Sequence, residues 1–181
     1  MRLTILMLVF LAGCASAPVI VHRSAQTDAT FVLNGRIKIK QGTQHDSSGI
    51  HWEHGKKEDE LLLLGPLGYT AGRIHKDEQG ATLDDAYGKH FAAPDAEALM
   101  QKSVGWQLPL NGLQYWVVGM PVPEVEARVE RNSNGQISLL KQQGWEIRYT
   151  RYAGSKPDAL PMQLEMSFEE LDVLLQIDEW K

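Results

Sequence analysis

Hydrophobic and polar residues alternate along most of the chain from residue 31 onward. In residues 31–39 apolar side chains recur at every second position, interrupted by Gly35, with Arg36 and Lys38 on the opposite face. A period of two predicts a half-buried strand. The residues that follow, 41–48, are predicted to form a turn-rich connection. Alternating or apolar segments predict further strands over 49–54, 60–64, 69–74, 81–83, 89–91, 126–130, 136–141, 145–152, 162–168 and 171–180.

The period changes in the middle of the chain. Pro94 is followed by acidic residues and then by apolar ones, which predicts a helix over 94–100. A second helix is predicted after Pro109, over 110–118, before the prolines at 121 and 123. A long antiparallel meander with a helical excursion predicts a mainly β, barrel-like sheet of about eleven strands. Its interior is predicted to be either a ligand cavity beneath the helices or a packed core, because both give the same pattern.

The N-terminus has the pattern of an export signal. An apolar run over residues 3–11 follows Arg2 and is shorter than the roughly 20 residues that span a bilayer. It ends in Leu11-Ala12-Gly13-Cys14, which resembles a bacterial lipobox. We therefore predict a cleaved lipoprotein signal peptide over 1–13. The alternative is an ordinary secretory signal with a spare cysteine.

The lipobox resemblance divides the rest of the chain. It implies that Cys14 is acylated, and Ala15 in place of aspartate implies export to the outer membrane. The small and polar residues that follow predict a flexible tether over 14–30, and residues 31–181 form the predicted domain.

Composition narrows the classes of function. The chain has 181 residues and a single cysteine, which excludes an internal disulfide and a cysteine-based zinc cluster. Its net charge is −5, and the segment from Cys14 onward carries 17 − 23 = −6 because it loses only Arg2. The chain therefore lacks the excess of basic residues that is typical of a nucleic-acid-binding protein.

Nothing in the sequence argues for an enzyme. His51 and His54 are three residues apart on a predicted strand, so they face opposite sides and cannot bind one metal ion. We expect the histidines to be exposed or at an edge. The usual zinc-protease, hydrolase and nucleotide-binding motifs are absent. We therefore expect no catalysis, no cofactor and no metal site.

One turn is unusual. Four leucines lead into Gly65-Pro66-Leu67-Gly68, in which proline fixes a corner and Gly68 accepts a positive φ. Turn tips normally carry polar residues, whereas this one carries Leu67. The leucine either folds back onto the domain or is exposed as an apolar probe for lipid or a partner.

Several segments together resemble the LolB family of outer-membrane lipoprotein receptors. They occur in the family's order and cover nearly all of the chain after the signal. They are Phe31-x-Leu33-x-Gly35-Arg36, Gly49-x-x-Trp52, Gly65-Pro66-Leu67-Gly68, Gly105-Trp106-x-Leu108-Pro109-Leu110, Leu113-x-Tyr115-Trp116-x-x-Gly119-x-Pro121, Gln143-Gly144-Trp145-x-Ile147-x-Tyr149 and the closing Trp180. The turn often begins with asparagine in the family, and we expect Gly65 to be tolerated there.

The resemblance implies a half-open antiparallel β-barrel with a helical lid over an apolar cavity. It implies a protein that receives acylated lipoproteins from the periplasmic carrier LolA and inserts them into the outer membrane through the 65–68 turn. We also expect the protein to be a monomer. Candidate cavity or lid residues are Trp52, Leu62, Leu64, Leu99, Trp116, Trp145 and Ile147. Core packing is the alternative for each tryptophan. A scaffold lipoprotein and an anchored hydrolase are the competing functions.

Overall fold

Eleven antiparallel strands form one continuous sheet in the computed structural model, which describes residues 30–103 and 109–181. The predicted signal peptide, Cys14 and all of the predicted tether except Thr30 lie outside those residues. The strands are β1 (Phe31–Gln41), β2 (Gln44–His54), β3 (Asp59–Leu64), β4 (Thr70–Asp77), β5 (Gly80–Asp85), β6 (His90–Ala93), β7 (Ala127–Arg131), β8 (Ile137–Gln142), β9 (Trp145–Tyr152), β10 (Pro161–Phe168) and β11 (Leu171–Trp180).

The first and last strands lie side by side in the middle of the sheet. The order is β6-β5-β4-β3-β2-β1-β11-β10-β9-β8-β7, so β6 and β7 are the two edges and the barrel is not closed. Every neighbouring pair is antiparallel, as consecutive hairpins require. The predicted half-open, mainly β fold is confirmed.

Because side chains alternate between the two faces of each strand, one row of apolar side chains lies on the concave face of the sheet. Register brings these side chains opposite one another across consecutive strands from β1 to β6. The row is Leu33, Trp52, Leu61, Ile74, Leu83 and Phe91. All but Phe91 are buried.

Two short helices follow β6 and precede β7 in the chain, and they cover the concave face of the sheet. Helix α1 (Ala96–Ser103) contacts β5 and β6, and α2 (Leu110–Trp116) follows Pro109. Asp95 accepts a hydrogen bond at 2.7 Å from the backbone N–H of Ala98, so the helix begins after it rather than at Pro94. Within the described ranges, neither helix has the length and apolar character needed to cross a bilayer.

The prediction of a turn-rich connection over 41–48 is wrong. The β1–β2 hairpin turns at residues 42–43, where Gly42 has a φ of 56°, and Gln44 to Ser48 pair with the second half of β1. These polar residues form a regular ladder because this part of the hairpin extends beyond β3, whose pairing with β2 begins at Gly49. Since most of their side chains face solvent, no apolar alternation marks them as a strand.

Candidate functional site: an apolar cavity and a protruding loop

An apolar cavity of about 600 Å³ lies between the concave face of β1–β4 and the two helices. Its size falls within the range of roughly 300–1,000 Å³ typical of small-molecule sites. Polar residues from the first half of β2 occur at one side, and the 65–69 loop lies along the wall. The lining residues are Ile37, Ile39, Gln44, Asp46, Ser47, Ser48, Ile50, Leu61, Leu63, Gly65, Pro66, Tyr69, Ala71, Ile74, Met100, Ser103, Leu110 and Leu113.

Strand alternation decides which leucines of β3 reach this cavity. Leu61 and Leu63 line it, whereas Leu62 and Leu64 are absent from the lining. Leu62 lies opposite Arg73 of β4 on the other face of the sheet. Leu62 and Leu64, which were candidates for the cavity or lid, therefore lie outside the lining of this cavity. A run of four leucines has no period of its own, so the register with β2 and β4 is what separates the two faces.

The other candidate residues are buried without lining this cavity. Leu99 and Trp116 lie in the two helices, and Trp52, Trp145 and Ile147 lie in the sheet. Sequence reasoning missed the helix residues that do line the cavity, Met100, Leu110 and Leu113. Their helical spacing would have indicated an inward face, but it could not show where the space was left.

Trp116 fixes the second helix to the β8–β9 half of the sheet. Its side chain is completely buried, and its ring centroid lies 5.9 Å from that of Trp145. Its indole Nε1 donates to Gln142 Oε1 at 3.0 Å, and its backbone carbonyl accepts a 2.8 Å bond from the hydroxyl of Tyr149. The tryptophan thus joins the end of α2 to two strands.

The buried amide of Gln142 organises the segment that follows α2. Its Oε1 also accepts from the Val122 backbone N–H at 2.8 Å, and its Nε2 donates to the carbonyls of Val122 and Val125 at 3.0 Å each. Each polar atom of the amide is therefore satisfied, as burial demands. This network holds the chain between the lid and β7 against β8.

The loop after β3 projects Leu67 into solvent. The Gly65 N–H donates to the Tyr69 carbonyl at 2.8 Å, and the Gly68 N–H donates to the Gly65 carbonyl at 3.0 Å, closing a single 3-10 turn over Pro66–Gly68. Leu67 is fully exposed, at 106%. It is also left-handed, with a φ of 68°, a conformation that costs an L-residue roughly 1 kcal/mol. Of the two alternatives for Leu67, the structure has the exposed one.

Gly65 is required by its neighbour in this chain. A Cβ at position 65 would lie 2.4 Å from the ring of Tyr69, which folds over the glycine. Glycine thus forms the turn as expected, and it also creates the space that lets the Tyr69 ring lie against it.

A buried polar cluster, the basal cluster, holds β2, β3 and β4 together at the far end of β3 from the loop. We define it as Trp52, His54, Asp59 and Lys76. Asp59 Oδ1 lies 2.5 Å from His54 Nδ1 and accepts from Trp52 Nε1 at 2.9 Å, while Asp59 Oδ2 accepts from Lys76 Nζ at 3.1 Å. Burial raises the pKa of Asp59, but hydrogen bonds from His54 and Trp52 and the charges of His54 and Lys76 outweigh it and hold the pKa below its usual 3.8.

The basal cluster corrects the expectation that the histidines are exposed. His54 is buried against Phe31, with ring centroids 5.0 Å apart, and its Nε2 has no hydrogen-bond partner among the described residues. His51 lies on the other face, 2.6 Å from Asn34 Oδ1, so the two side chains diverge as predicted. His54 is buried because it follows Trp52 on the inner face at an interval of two. In the two described ranges, no three His, Cys, Asp or Glu side chains come together as metal ligands would.

These features define a class of protein: an open antiparallel half-barrel with helices over an apolar cavity and an exposed apolar loop between two neighbouring strands. The family model for outer membrane lipoprotein LolB matches residues 29–180. The chain belongs to the LolB family.

Relatives named outer-membrane lipoprotein LolB match over nearly the whole chain. The protein from Chromobacterium violaceum is 36% identical over 174 residues, covering 94% of this chain and 93% of that protein. The protein from Nitrosomonas europaea is 31% identical over 188 residues, covering 96% and 89%.

Solved structures share the fold at low sequence identity. A putative outer membrane lipoprotein-sorting protein domain from Vibrio parahaemolyticus has a TM-score of 0.51 and 8% identity, with 84% of each chain covered. A LolA superfamily protein from Nitrosomonas europaea has a TM-score of 0.50 and 10% identity, covering 88% of this chain and 87% of that one.

Proposed function

We propose that this protein receives acylated lipoproteins from a LolA-like periplasmic carrier and delivers them into the outer membrane. The observation that carries the proposal is the apolar cavity between β1–β4 and the helices, lined mainly by aliphatic side chains. The family to which the chain belongs, named for outer-membrane lipoproteins, supports the same function and location. The protein binds acyl chains without catalysing a reaction.

The energetics of an acyl chain explain why a cavity is needed. Burying one methylene is worth about 0.8 kcal/mol, so a chain of some fourteen methylenes represents roughly 11 kcal/mol. That free energy would be lost if the chain were released into water, so the cargo must pass directly between apolar sites. The chain carries no nucleotide-binding motif, and we infer that transfer runs downhill from carrier to receptor to bilayer.

The anchor completes the proposal. Removal of residues 1–13 and acylation of Cys14 attach the protein to the outer membrane, with residues 14–30 as the tether and residues 31–181 as the receptor domain. Two or three acyl chains on the cysteine give stable attachment, where a single chain binds only marginally. The receptor acts as a monomer.

Leu67 promotes the step in which cargo enters the bilayer. It is fully exposed on a loop that also contributes Gly65, Pro66 and Tyr69 to the cavity wall. An apolar side chain at this position contacts lipid close to where the bound acyl chain leaves the protein. The strained backbone of Leu67 is consistent with a functional role, since such conformations cluster at functional sites.

Cargo reception is tested by transfer from a loaded carrier. The chain from residue 15 onward is mixed with LolA that carries an acylated lipoprotein, and cargo is followed by co-purification. Leu63→Trp fills the cavity and is expected to abolish uptake. Leu62→Trp, one residue away on the outer face, is the matched control and is expected to leave uptake intact. Equal uptake by both folded variants would refute the proposed cavity, and Ala71→Phe provides a second filled cavity if Leu63→Trp is unstable.

Delivery is tested separately on the anchored protein. Leu67→Glu is expected to accept cargo normally and to lose most transfer to vesicles, since a carboxylate does not enter the hydrocarbon region. Val129→Glu is the control, because Val129 is an exposed apolar residue on the edge strand β7, at the other end of the strand order. Undiminished delivery by Leu67→Glu would contradict the role of Leu67.

A further inference from the structure

We propose that a second turn, residues 85–89, contacts the lipid surface together with the 65–69 loop, and that Tyr87 is its interfacial anchor. This inference rests on the proposed function. It adds a binding surface to it: a membrane edge that consists of both turns, in place of a single protruding leucine.

The directions of the strands place the two turns at the same strand-end side of the sheet. The 65–69 loop joins the end of β3 to the start of β4, and the 85–89 turn joins the end of β5 to the start of β6. Since β4 and β5 are antiparallel neighbours, with Gly72 opposite Asp85, the two turns lie side by side. The Ala86 N–H donates to the Ala71 carbonyl at 3.0 Å and fixes this proximity.

Exposed apolar side chains concentrate in these two turns. Within the described residues, five large hydrophobic side chains are exposed, and three of them belong to the two turns: Leu67, Tyr69 and Tyr87. Tyr87 is 92% exposed. The other two, Val125 and Val129, are only 38% and 36% exposed. They lie just before and on β7, at the other end of the strand order from β4–β6.

The 85–89 turn holds Tyr87 outward in a defined geometry. Asp85 Oδ1 accepts hydrogen bonds from the backbone N–H groups of Tyr87 at 2.8 Å and Lys89 at 2.9 Å. The Gly88 N–H donates to the Asp85 carbonyl at 3.1 Å, and Gly88 has a φ of 79°. Because the backbone of the turn is held by these hydrogen bonds, binding through Tyr87 costs little additional backbone entropy.

The chemistry of the turn suits a bilayer surface. Tyrosine is enriched at membrane interfaces, where its ring meets the apolar boundary and its hydroxyl stays hydrated. The two carboxylates that precede Tyr87 in the sequence are both engaged: Asp85 caps the turn, and Asp84 lies 2.7 Å from His90 Nδ1. The exposed Lys89 supplies a positive charge for lipid phosphates.

The proposed tether is long enough for the two turns to meet the membrane that holds Cys14. The described domain begins at β1, whose Phe31 pairs with His54 at the end of β2 away from the loop. The tether from residue 14 to residue 30 has 17 residues. Extended, it spans at most about 60 Å, whereas the six residues of β3 span about 20 Å. The tether therefore allows the membrane edge to meet the bilayer that holds the acylated cysteine.

Site-specific fluorescence on tethered protein tests the membrane edge. The chain contains a single cysteine, so replacing residues 1–14 with a hexahistidine tag leaves a cysteine-free background. Leu67→Cys, Tyr87→Cys and Val129→Cys are labelled in turn with a polarity-sensitive fluorophore. Each protein is bound through its tag to vesicles of phosphatidylethanolamine and phosphatidylglycerol that contain a nickel-chelating lipid. Circular dichroism checks that each labelled variant is folded.

We expect labels at 67 and 87 to shift to the blue and to lose quenching by iodide, while the label at 129 stays unchanged. A shift at 67 without one at 87 would overturn the second contact and leave the proposed function standing. A shift at all three positions, or at none, would overturn the proposal that both turns contact the membrane. Cargo reception would still be tested independently by the transfer assay with the loaded carrier. A shift at 87 without one at 67 would keep the Tyr87 contact and remove the role of Leu67.

Discussion

The two halves of the sheet use the same alternation of residues and reach opposite results. In the packed half, β7–β11, the concave face is filled by large side chains and by Trp116 from α2, which Gln142 and Tyr149 hold in place. In the cavity half, β1–β6, aliphatic residues of β1–β4 face about 600 Å³ of space beneath the helices. The packed half thus fixes the lid at one end, and the cavity half leaves room for a ligand.

An apolar concave face is therefore compatible with either a packed core or a cavity. What decides is whether the covering element supplies enough volume. Trp116 fills its side, while Met100, Leu110 and Leu113 reach over the other side without filling it. The cavity half compensates with the basal cluster, which ties its strands together beyond the cavity.

The largest expected effect is the loss of Trp116. Trp116→Ala removes a completely buried indole and one of the two N–H donors to Gln142 Oε1, so we expect the free energy of unfolding to fall by about 4 kcal/mol. Urea denaturation measures this change. Tyr87→Ala, which removes an exposed ring, serves as control and should change stability by less than about 0.5 kcal/mol. A loss below about 2 kcal/mol for Trp116→Ala would mean that the packed half is not the rigid support of the lid.

The basal cluster should make the cavity half sensitive to acid. Asp59→Asn leaves His54 and Lys76 without their carboxylate, and we expect a loss of about 3 kcal/mol at neutral pH. Because the pKa of Asp59 is lowered on folding, its contribution is complete above about pH 5 and declines as the pH falls through 3.8 toward the folded pKa. In denaturation curves the gap between the two proteins should therefore narrow between pH 5 and 3. A gap that stayed constant would contradict the assignment to Asp59 ionisation.

Truncating one leucine in each half compares how tightly the two halves are packed. Leu164→Ala in the packed half removes a fully buried side chain and should cost about 3 kcal/mol. Leu63→Ala in the cavity half removes a partly buried side chain that already borders space, and it should cost about 1 kcal/mol. Thermal and urea unfolding measure both. Equal losses would show that the cavity is closed by tight packing.

The smallest effect concerns the loop, and its sign is the informative part. Leu67→Asn places a residue that tolerates the left-handed conformation at a φ of 68°, so stability should rise by up to roughly 1 kcal/mol. Delivery of cargo to vesicles should fall in the same variant. Leu67→Val, with a β-branched residue, should be less stable than the parent. A stable Leu67→Asn that delivered normally would separate the strain from the function.

Much of the architecture followed from the sequence because alternation is a local property. The strands 145–152, 162–168 and 171–180 were predicted to within one residue at either end, and both helices lie after the prolines that marked them. The segment 44–48 was missed because a protruding hairpin needs no apolar face. Alternation places His54 on the inner face with Trp52, but the partner that satisfies its ring there, Asp59, comes from the neighbouring strand and is not apparent from the local sequence.

The sequence by itself determined the order of strands and helices, the apolar tip at Leu67 and the membership of the LolB family, since each depends on residue types and their spacing along the chain. Only the tertiary structure decided which face of Leu61-Leu62-Leu63-Leu64 meets the cavity, that Trp116 packs while Leu63 borders space, and that the turns carrying Leu67 and Tyr87 are neighbours. These depend on register and on the volume supplied by a distant helix. Neither quantity is encoded in any local stretch of residues.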